Sequence, residues 1–318
     1  PYPDFKPERT KSYEVGINAR FLNGRISFDG TFYQSNTYNQ TFLSVMSPAT
    51  GYSGFYVQAG NVRNRGVEMT LGYNDTFGKV NYSTHLTYTA NQNKIVEMVH
   101  DYRNPIDNSL VNITELTLKE VGDVYLREGY SMSDVFTTGI LQRGRDGKLV
   151  EEGNGYQVDR SQRIRLGSAD PDFTMGWRHD INYKNISLGL MITGRFGGIV
   201  TSQTQAFMDA FGVSKVSAEA RDNGGVMLDG HRYDAERYYN TVGGQGLMSY
   251  YTYDATNVRL QELSLTYSLP KKWLGDVFNN ATISFVGRNL FMFYRKAPFD
   301  PDMNGSTGTY NRSDFFMA

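Results

Sequence analysis

The sequence predicts an all-β protein, a transmembrane antiparallel β-barrel wall with short helices carried in long extracellular loops. Three observations predict it. Apolar and polar residues alternate with period two over segments longer than ordinary globular strands. Tight two-residue turns join some of these segments into pairs. The remaining connections are long and aromatic, so short turns lie at one rim and long loops at the other, as in outer-membrane barrels.

The first strand covers Ser12–Leu22, with Tyr13, Val15, Ile17, Ala19 and Phe21 on one face and Ser12, Glu14, Gly16, Asn18 and Arg20 on the other. Asn23-Gly24 is a strong hairpin signal, and Ile26, Phe28, Gly30 and Phe32 then alternate with Ser27, Asp29, Thr31 and Tyr33. A third strand runs near Val62–Asn74, and Asp75–Lys79 returns it to Val80, Tyr82, Thr84, Leu86 and Tyr88. Phe173, Met175, Trp177, Ile181 and Tyr183 alternate with polar partners, turn at Lys184-Asn185 and continue as Ile186, Leu188, Leu190 and Ile192. A last pair is Asn257–Leu269 and Ala281–Tyr294, joined by Pro270–Asn280. In the middle, Val121–Arg127 and Ser131–Ile140 are read as a further pair, for about ten strands in all. Long outer loops are expected at 38–60, 95–120, 197–249 and 296–318. Within the third, Gln203–Arg221 has helical spacing, and a second helical turn is expected near Tyr233–Tyr239.

Composition narrows the function. The chain has 318 residues, a net charge of -1 and a mean hydropathy of -0.49. Nothing calls for nucleic acid, and no run reaches the ~20 apolar residues of a spanning helix. The sequence has no cysteine, which removes disulfides, thiol catalysis and zinc-thiolate sites. The Asn-x-Ser/Thr triplets at Asn81 and Asn185 fall in or beside strands and are not read as glycan sites.

No catalytic constellation emerges, and no cofactor is implied. His85, His100, His179 and His231 form no metal-spaced pair, and His179 and Asp180 fall on opposite strand faces. Asp300, Asp302, Asn304 and Gly305 match the start of a calcium loop, but the twelfth position is Asn311, and turn chemistry explains the pattern equally well. Arg63 and Arg65 between Gly60 and Gly66 have the wrong glycine spacing for a nucleotide cradle. Arg20, Glu68, Arg178, Arg195, Arg259 and Arg288 are placed on the watery side of the wall, since charge on a lipid face costs a few kcal/mol at the midplane. His179 and Glu262 break the apolar series and are expected beyond the hydrocarbon band. Candidate substrate or lid contacts are the aromatic residues of the longest loop, Phe207, Phe211, Tyr238, Tyr239, Tyr250, Tyr251 and Tyr253. The competing reading of each is an anchor for its own loop.

Several segments together resemble one family. Lys6–Thr10 followed by Tyr13–Gly16, GNVRNRGVE at Gly60–Glu68, GSADPDFTMG at Gly167–Gly176, NVRLQELSLTYSLP at Asn257–Pro270, Gly287–Leu290 and Asp300–Asp302 keep their order along the chain. They are similar to phrases of the SusC/RagA-type TonB-dependent transporters. The resemblance implies a 22-stranded outer-membrane barrel with an N-terminal plug. Such barrels import oligosaccharides or peptides in Bacteroidetes-type bacteria, with a SusD-like surface lipoprotein as lid and TonB pulling on the plug. This chain then reads as the C-terminal half of one barrel domain, without the plug and without the last strand, and requiring the rest of its parent in a lipid bilayer. Rival readings are a passive porin, a soluble carbohydrate-binding β protein and an outer-membrane hydrolase, the last lacking any readable catalytic cluster.

Overall fold

A computed structural model of the chain describes residues 6–45, 54–103, 108–118, 124–275 and 278–302. Four long strands open it: β1 (Arg9–Phe21), β2 (Ile26–Val45), β3 (Gly54–Phe77) and β4 (Val80–Glu97). Short strands follow, β5 (Val99–Arg103), β6 (Leu110–Ile113), β7 (Glu115–Leu118) and β8 (Val124–Arg127), then β9 (Asp134–Leu141), β10 (Glu151–Glu152), β11 (Gly155–Tyr156) and β12 (Val158–Ser168). Two more long strands are β13 (Phe173–Tyr183) and β14 (Ile186–Phe196). Next come β15 (Ile199–Thr201), α1 (Gln203–Ala210), α2 (Lys215–Asp222), β16 (Val226–Leu228), β17 (His231–Tyr233), α3 (Ala235–Val242) and β18 (Thr252–Asp254). The last elements are β19 (Asn257–Ser268), α4 (Lys271–Leu274) and β20 (Thr282–Arg295).

A ten-stranded antiparallel sheet runs in the order β20-β19-β14-β13-β4-β3-β2-β7-β8, with β1 also pairing β2. Its register carries the alternation across the wall. Ile17 faces Gly30, which faces Met69, Tyr88 and Met175 in turn, so one side of the sheet is a continuous apolar face. Val15, Leu71, Trp177, Leu188 and Leu265 on that side are exposed, as suits a lipid boundary rather than a packed core. No described helix is long and apolar enough to cross a membrane.

The wall continues well beyond the predicted strand ends. β2, β3 and β4 have 20, 24 and 18 residues, against the ~9–11 that a tilted strand needs to span. The expected loop at 38–60 is therefore the extension of the β2–β3 hairpin, paired from Tyr38↔Asn61 to Val45↔Gly54, with its connection outside the described residues. The expected loop at 95–120 starts inside β4 and then forms the β5–β6 hairpin and β7. The expected pairing of Val121–Arg127 with Ser131–Ile140 does not occur. β8 closes a local hairpin with β7, which takes up its ladder, and β9 pairs with β12 instead. The single helix expected over Gln203–Arg221 is two helices. Gly212 at φ 67 stops the first, and Ser214, accepting from Ser217 N–H at 3.0 Å, caps the second.

Two compact units result. One holds Pro1–Ser133, Pro171–Gly197 and Thr256–Arg295, which is the whole ten-stranded sheet; its small core, Val62, Ile95, Met98, Leu116 and Leu126, lies where β3 and β4 meet the β5–β8 hairpins. The other holds Asp134–Asp170, Gly198–Ala255 and the segment from Lys296 onward, with a larger core that includes Leu141, Tyr156, Tyr238, Tyr239, Val242, Leu247 and Tyr251.

Candidate functional site

The polar side of the wall carries an ordered row of charge. Gly72, His85, Arg178, Met191, Glu262 and Arg288 are successive register partners across six strands. Arg178 grips Asp180 with two hydrogen bonds of 2.9 Å and approaches Glu262 at 3.8 Å, while Arg288 Nε lies 3.2 Å from the other Glu262 oxygen. Arg20, Glu68, Arg195 and Arg259 also fall on this side by register, as expected. Glu262 does not break the apolar series. β19 is bulged at Gln261, so Leu260 and Leu263 both reach the apolar face and Glu262 turns to the polar one. The phase change from Leu260 to Leu263 was readable as the signature of one inserted residue.

His179 does sit on the apolar face. Its Nδ1 lies 2.8 Å from the Tyr82 hydroxyl and its ring 4.4 Å from Trp177, and Trp177 Nε1 donates to Thr84 at 3.0 Å. His85 lies on the polar face beside Ser83.

Two glycines of the GNVRNRGVE segment have structural work. Gly60 N–H donates to the Met98 carbonyl at 2.8 Å, where a Cβ would clash. A Cβ on Gly66 would sit 2.6 Å from the Ala90 oxygen and run into Tyr33, whose ring crosses here so that its hydroxyl donates to Asn91 at 3.1 Å.

The seven aromatic candidates separate into two groups. Tyr238, Tyr239 and Tyr251 are buried in the core of the second unit, and Tyr250 and Tyr253 pack against it. Burial pushes the Tyr238 hydroxyl up from its ordinary pKa, with Tyr250 adding to it; burial and the Asp209 carboxylate do the same for Tyr251 and Tyr239. Tyr250 also accepts the Leu141 N–H at 3.2 Å, and Tyr233 accepts that of Leu149 at 3.2 Å, so these phenols terminate backbone donors that no ladder reaches. Phe207 and Phe211 are different: they are 45% and 80% exposed, and Val213 beside them is 73% exposed. Phe211 edges a cleft of about 230 Å³ lined also by Asp209, Arg221, Glu236, Tyr239 and Asn240. Arg221 is held there by its bond to the Gly212 carbonyl at 2.7 Å. The cleft presents an exposed aromatic ring, carboxylates, an amide, a guanidinium and the Ser217 hydroxyl, which is bonded to Ser214 rather than to a base.

A titratable pair escaped the sequence reading. His100 Nε2 lies 2.6 Å from Glu128 Oε2, which also accepts the Met98 N–H at 3.1 Å. The bond to Glu128 holds the His100 pKa above its usual value; burial works to raise that of Glu128, but the His100 and Met98 bonds outweigh it and lower it. Their separation by 28 positions left no local signal. Of the calcium-loop pattern, Asp300 accepts the Asp302 N–H at 3.0 Å, as turn chemistry requires, while Asn304, Gly305 and Asn311 lie outside the described residues. No group of three or more potential ligands is assembled among the described residues.

Comparison with known proteins agrees with this architecture. A family model described as TonB dependent receptor-like, beta-barrel, matches residues 1–193. Two curated relatives from Formosa agariphila, TonB-dependent receptor P3 and TonB-dependent receptor P26, are 26% and 25% identical over 98% and 94% of this chain. Among solved structures, the RagAB peptide transporter superposes with a TM-score of 0.63 at 17% identity, covering 90% of this chain and 32% of that one. The RagAB peptide importer in its open-open state gives 0.63 at 19% identity, covering 92% and 32%. The chain spans about a third of the length of the curated relatives it matches, 32% of each.

Proposed function

The chain belongs to the family of TonB-dependent receptor-like β-barrels and is part of a bacterial outer-membrane protein, and from that premise we propose that it is the barrel portion of a SusC/RagA-type active importer of oligosaccharides or peptides. The observation that carries the reading is an asymmetric wall in a chain that matches TonB-dependent receptor-like barrels. The connections at Asn23-Gly24, Gly78-Lys79 and Lys184-Asn185 are tight turns and the one after β19 begins with the single-turn α4, whereas the opposite strand ends feed extended hairpins and a separately cored unit. Porins share that asymmetry, so the preference for an energised importer over a passive wall rests on the match to TonB-dependent receptor-like barrels.

In this reading substrate is held between the outer segments, a plug and a SusD-like surface lipoprotein, and TonB releases it inward by pulling on the plug. The row Asp180–Arg178–Glu262–Arg288 lines the water-filled interior and meets the plug or passing solute. Phe207 and Phe211, with their free rings, are the contacts offered to substrate or lid; Tyr238, Tyr239, Tyr250, Tyr251 and Tyr253 hold the unit that presents them. The protein transports and catalyses no chemical step. The 17–19% identity of the RagAB structures supports the fold; the peptide cargo in their names favours testing peptides beside oligosaccharides.

The test is extraction of the full-length protein from outer membranes in mild detergent, followed by uptake in cells with and without TonB. A co-purifying lipoprotein and uptake abolished without TonB are expected. Uptake at full rate without TonB would replace this reading by a passive channel.

A further inference from the structure

The short-turn rim has a chemistry that import does not require. Arg25, Lys79, Lys184, Lys271 and Lys272 put at least one exposed cation on each of the four short connections. Against these five stand two carboxylates in the same segments, Asp75 and Asp276, in a chain whose net charge is -1. Asp75 is already committed: it lies 3.3 Å from Arg25 and accepts from the Tyr73 hydroxyl at 2.9 Å. Asp276 lies outside the described residues. Lys79, Lys184, Lys271 and Lys272 have no carboxylate partner among the described residues; Lys271 reaches only the Phe278 carbonyl, at 3.3 Å.

These cations stand directly beyond an aromatic band on the apolar face. Tyr73 and Tyr82 are 6.3 Å apart, and Trp177 continues the band through His179. Lys184 lies over the Tyr183 ring at 5.2 Å, and Tyr267 and Trp273 are 6.5 Å apart beside Lys271 and Lys272. The turns after β13 and β19 are also stitched together, Asn185 Nδ2 donating to the Ser268 carbonyl at 2.8 Å, which brings Lys184 to the neighbourhood of the lysine pair. Aromatic side chains seat at the headgroup level, so cations one step further out lie at the depth of lipid phosphates.

We propose that the short-turn rim is a docking surface for anionic phospholipid headgroups of the inner leaflet of the outer membrane. Charge complementarity selects that occupant: unpaired ammonium groups adjoin an apolar face already committed to lipid, and each cation near an anionic surface is worth about five-fold in affinity. The proposal stands on the barrel fold and not on the import reading, so either can fail alone.

The experiment uses the full-length protein in phosphatidylcholine nanodiscs doped with spin-labelled phosphatidylglycerol or phosphatidylcholine, measuring the motionally restricted fraction of each. Wild-type protein should retain phosphatidylglycerol about five-fold or more over phosphatidylcholine, and high salt should erode the preference. The K79Q/K184Q/K271Q/K272Q variant should lose it and the corresponding all-Arg variant should keep it. Absence of preference in the wild type, or an undiminished preference in the Gln variant, overturns the proposal. So does a Gln variant that keeps the lipid preference yet loses TonB-driven uptake, which would assign the rim to a periplasmic protein. If the quadruple variant fails to assemble, K184Q and the wild-type salt series decide, and a preference that survives high salt is refuting.

Discussion

Replacing Leu247 by Ala tests whether the second unit is held by its own core. Leu247 is fully buried in a cluster with Leu141, Tyr156, Tyr239 and Val242, and its N–H donates to Val242 O at 2.8 Å. Strand β9 packs directly on it, since a Cβ at Gly139 would come 2.8 Å from Leu247 Cδ2. The substitution removes three carbons from a site with little freedom to collapse. Tyr238 is locked edge-on between Tyr239 and Tyr250, with centroids at 5.2 and 6.5 Å. Leu→Ala at buried sites costs about 2–5 kcal/mol, and restricted collapse places this one at about 3–4. At ~1.4 kcal/mol per factor of ten, opening of the unit becomes on the order of 100- to 1,000-fold more frequent. Hydrogen exchange of the full-length protein in detergent reads this directly. Amides in 134–170 and 198–255 should exchange about 100-fold faster or more, while those of β13 and β14 keep their wild-type rates. A rise below about ten-fold in the unit, or an equal rise in β13 and β14, would refute a separately stabilised core.

Three further outcomes are expected. The His100–Glu128 tie weakens at both pH extremes: the raised His100 pKa gives stability that is present below pH 6.5 and lost as pH rises through the folded value. The lowered Glu128 pKa gives stability present above pH 4.5 and lost as pH falls through its folded value, so exchange at Met98 N–H should be slowest between these limits, and a flat pH profile after correction for intrinsic exchange would contradict the pairing. Glu262→Gln should shift the unfolding midpoint by less than the equivalent of ~2 kcal/mol, because pairs facing water contribute about 0–1 kcal/mol each and Arg178 keeps Asp180; a larger loss would mean that the row is dry. Gly66→Val should cost about 1–3 kcal/mol by crowding both the Tyr33 ring and the Ala90 carbonyl, measured as a lower unfolding temperature, and an unchanged temperature would contradict the close approach.

The transmembrane part of the wall was legible because lipid on one side and water on the other impose period two. Tyr13 to Phe21 and Ile186 to Ile192 display it without interruption. Past the bilayer both faces of a strand meet water, and the signal vanishes while the ladder continues. The loops expected at 38–60 and 95–120 begin as such extensions, with β2 running on to Val45, β3 starting at Gly54 and β4 ending at Glu97. Bulges were the second source of error, since one extra residue at Gln261 moves Glu262 to the other face. Aromatic richness was the third. A ring that anchors and a ring that binds look alike in sequence, and only burial separates Tyr251 from Phe211. The His100–Glu128 pair depended on how two hairpins fold back, which no local pattern encodes.

These errors share a cause in the two solvents the chain folds against. The wall buries its apolar face in lipid, so Val15, Leu71 and Leu188 remain exposed on the protein itself, and its strands are held mainly by backbone ladders that lipid cannot compete for. The second unit folds against water and needs a conventional core, which is where Leu247, Val242 and Tyr251 go. A mean hydropathy of -0.49 averages the two regimes and describes neither. The same division governs function. A ladder-held wall tolerates exchange of one apolar residue for another on its lipid side, whereas the cored unit positions Phe207 and Phe211 only as firmly as its packing allows. Sequence change is therefore less costly at the exposed rings of α1 and its C-terminal end, while Tyr233 and Tyr250 stay constrained by the backbone donors they satisfy.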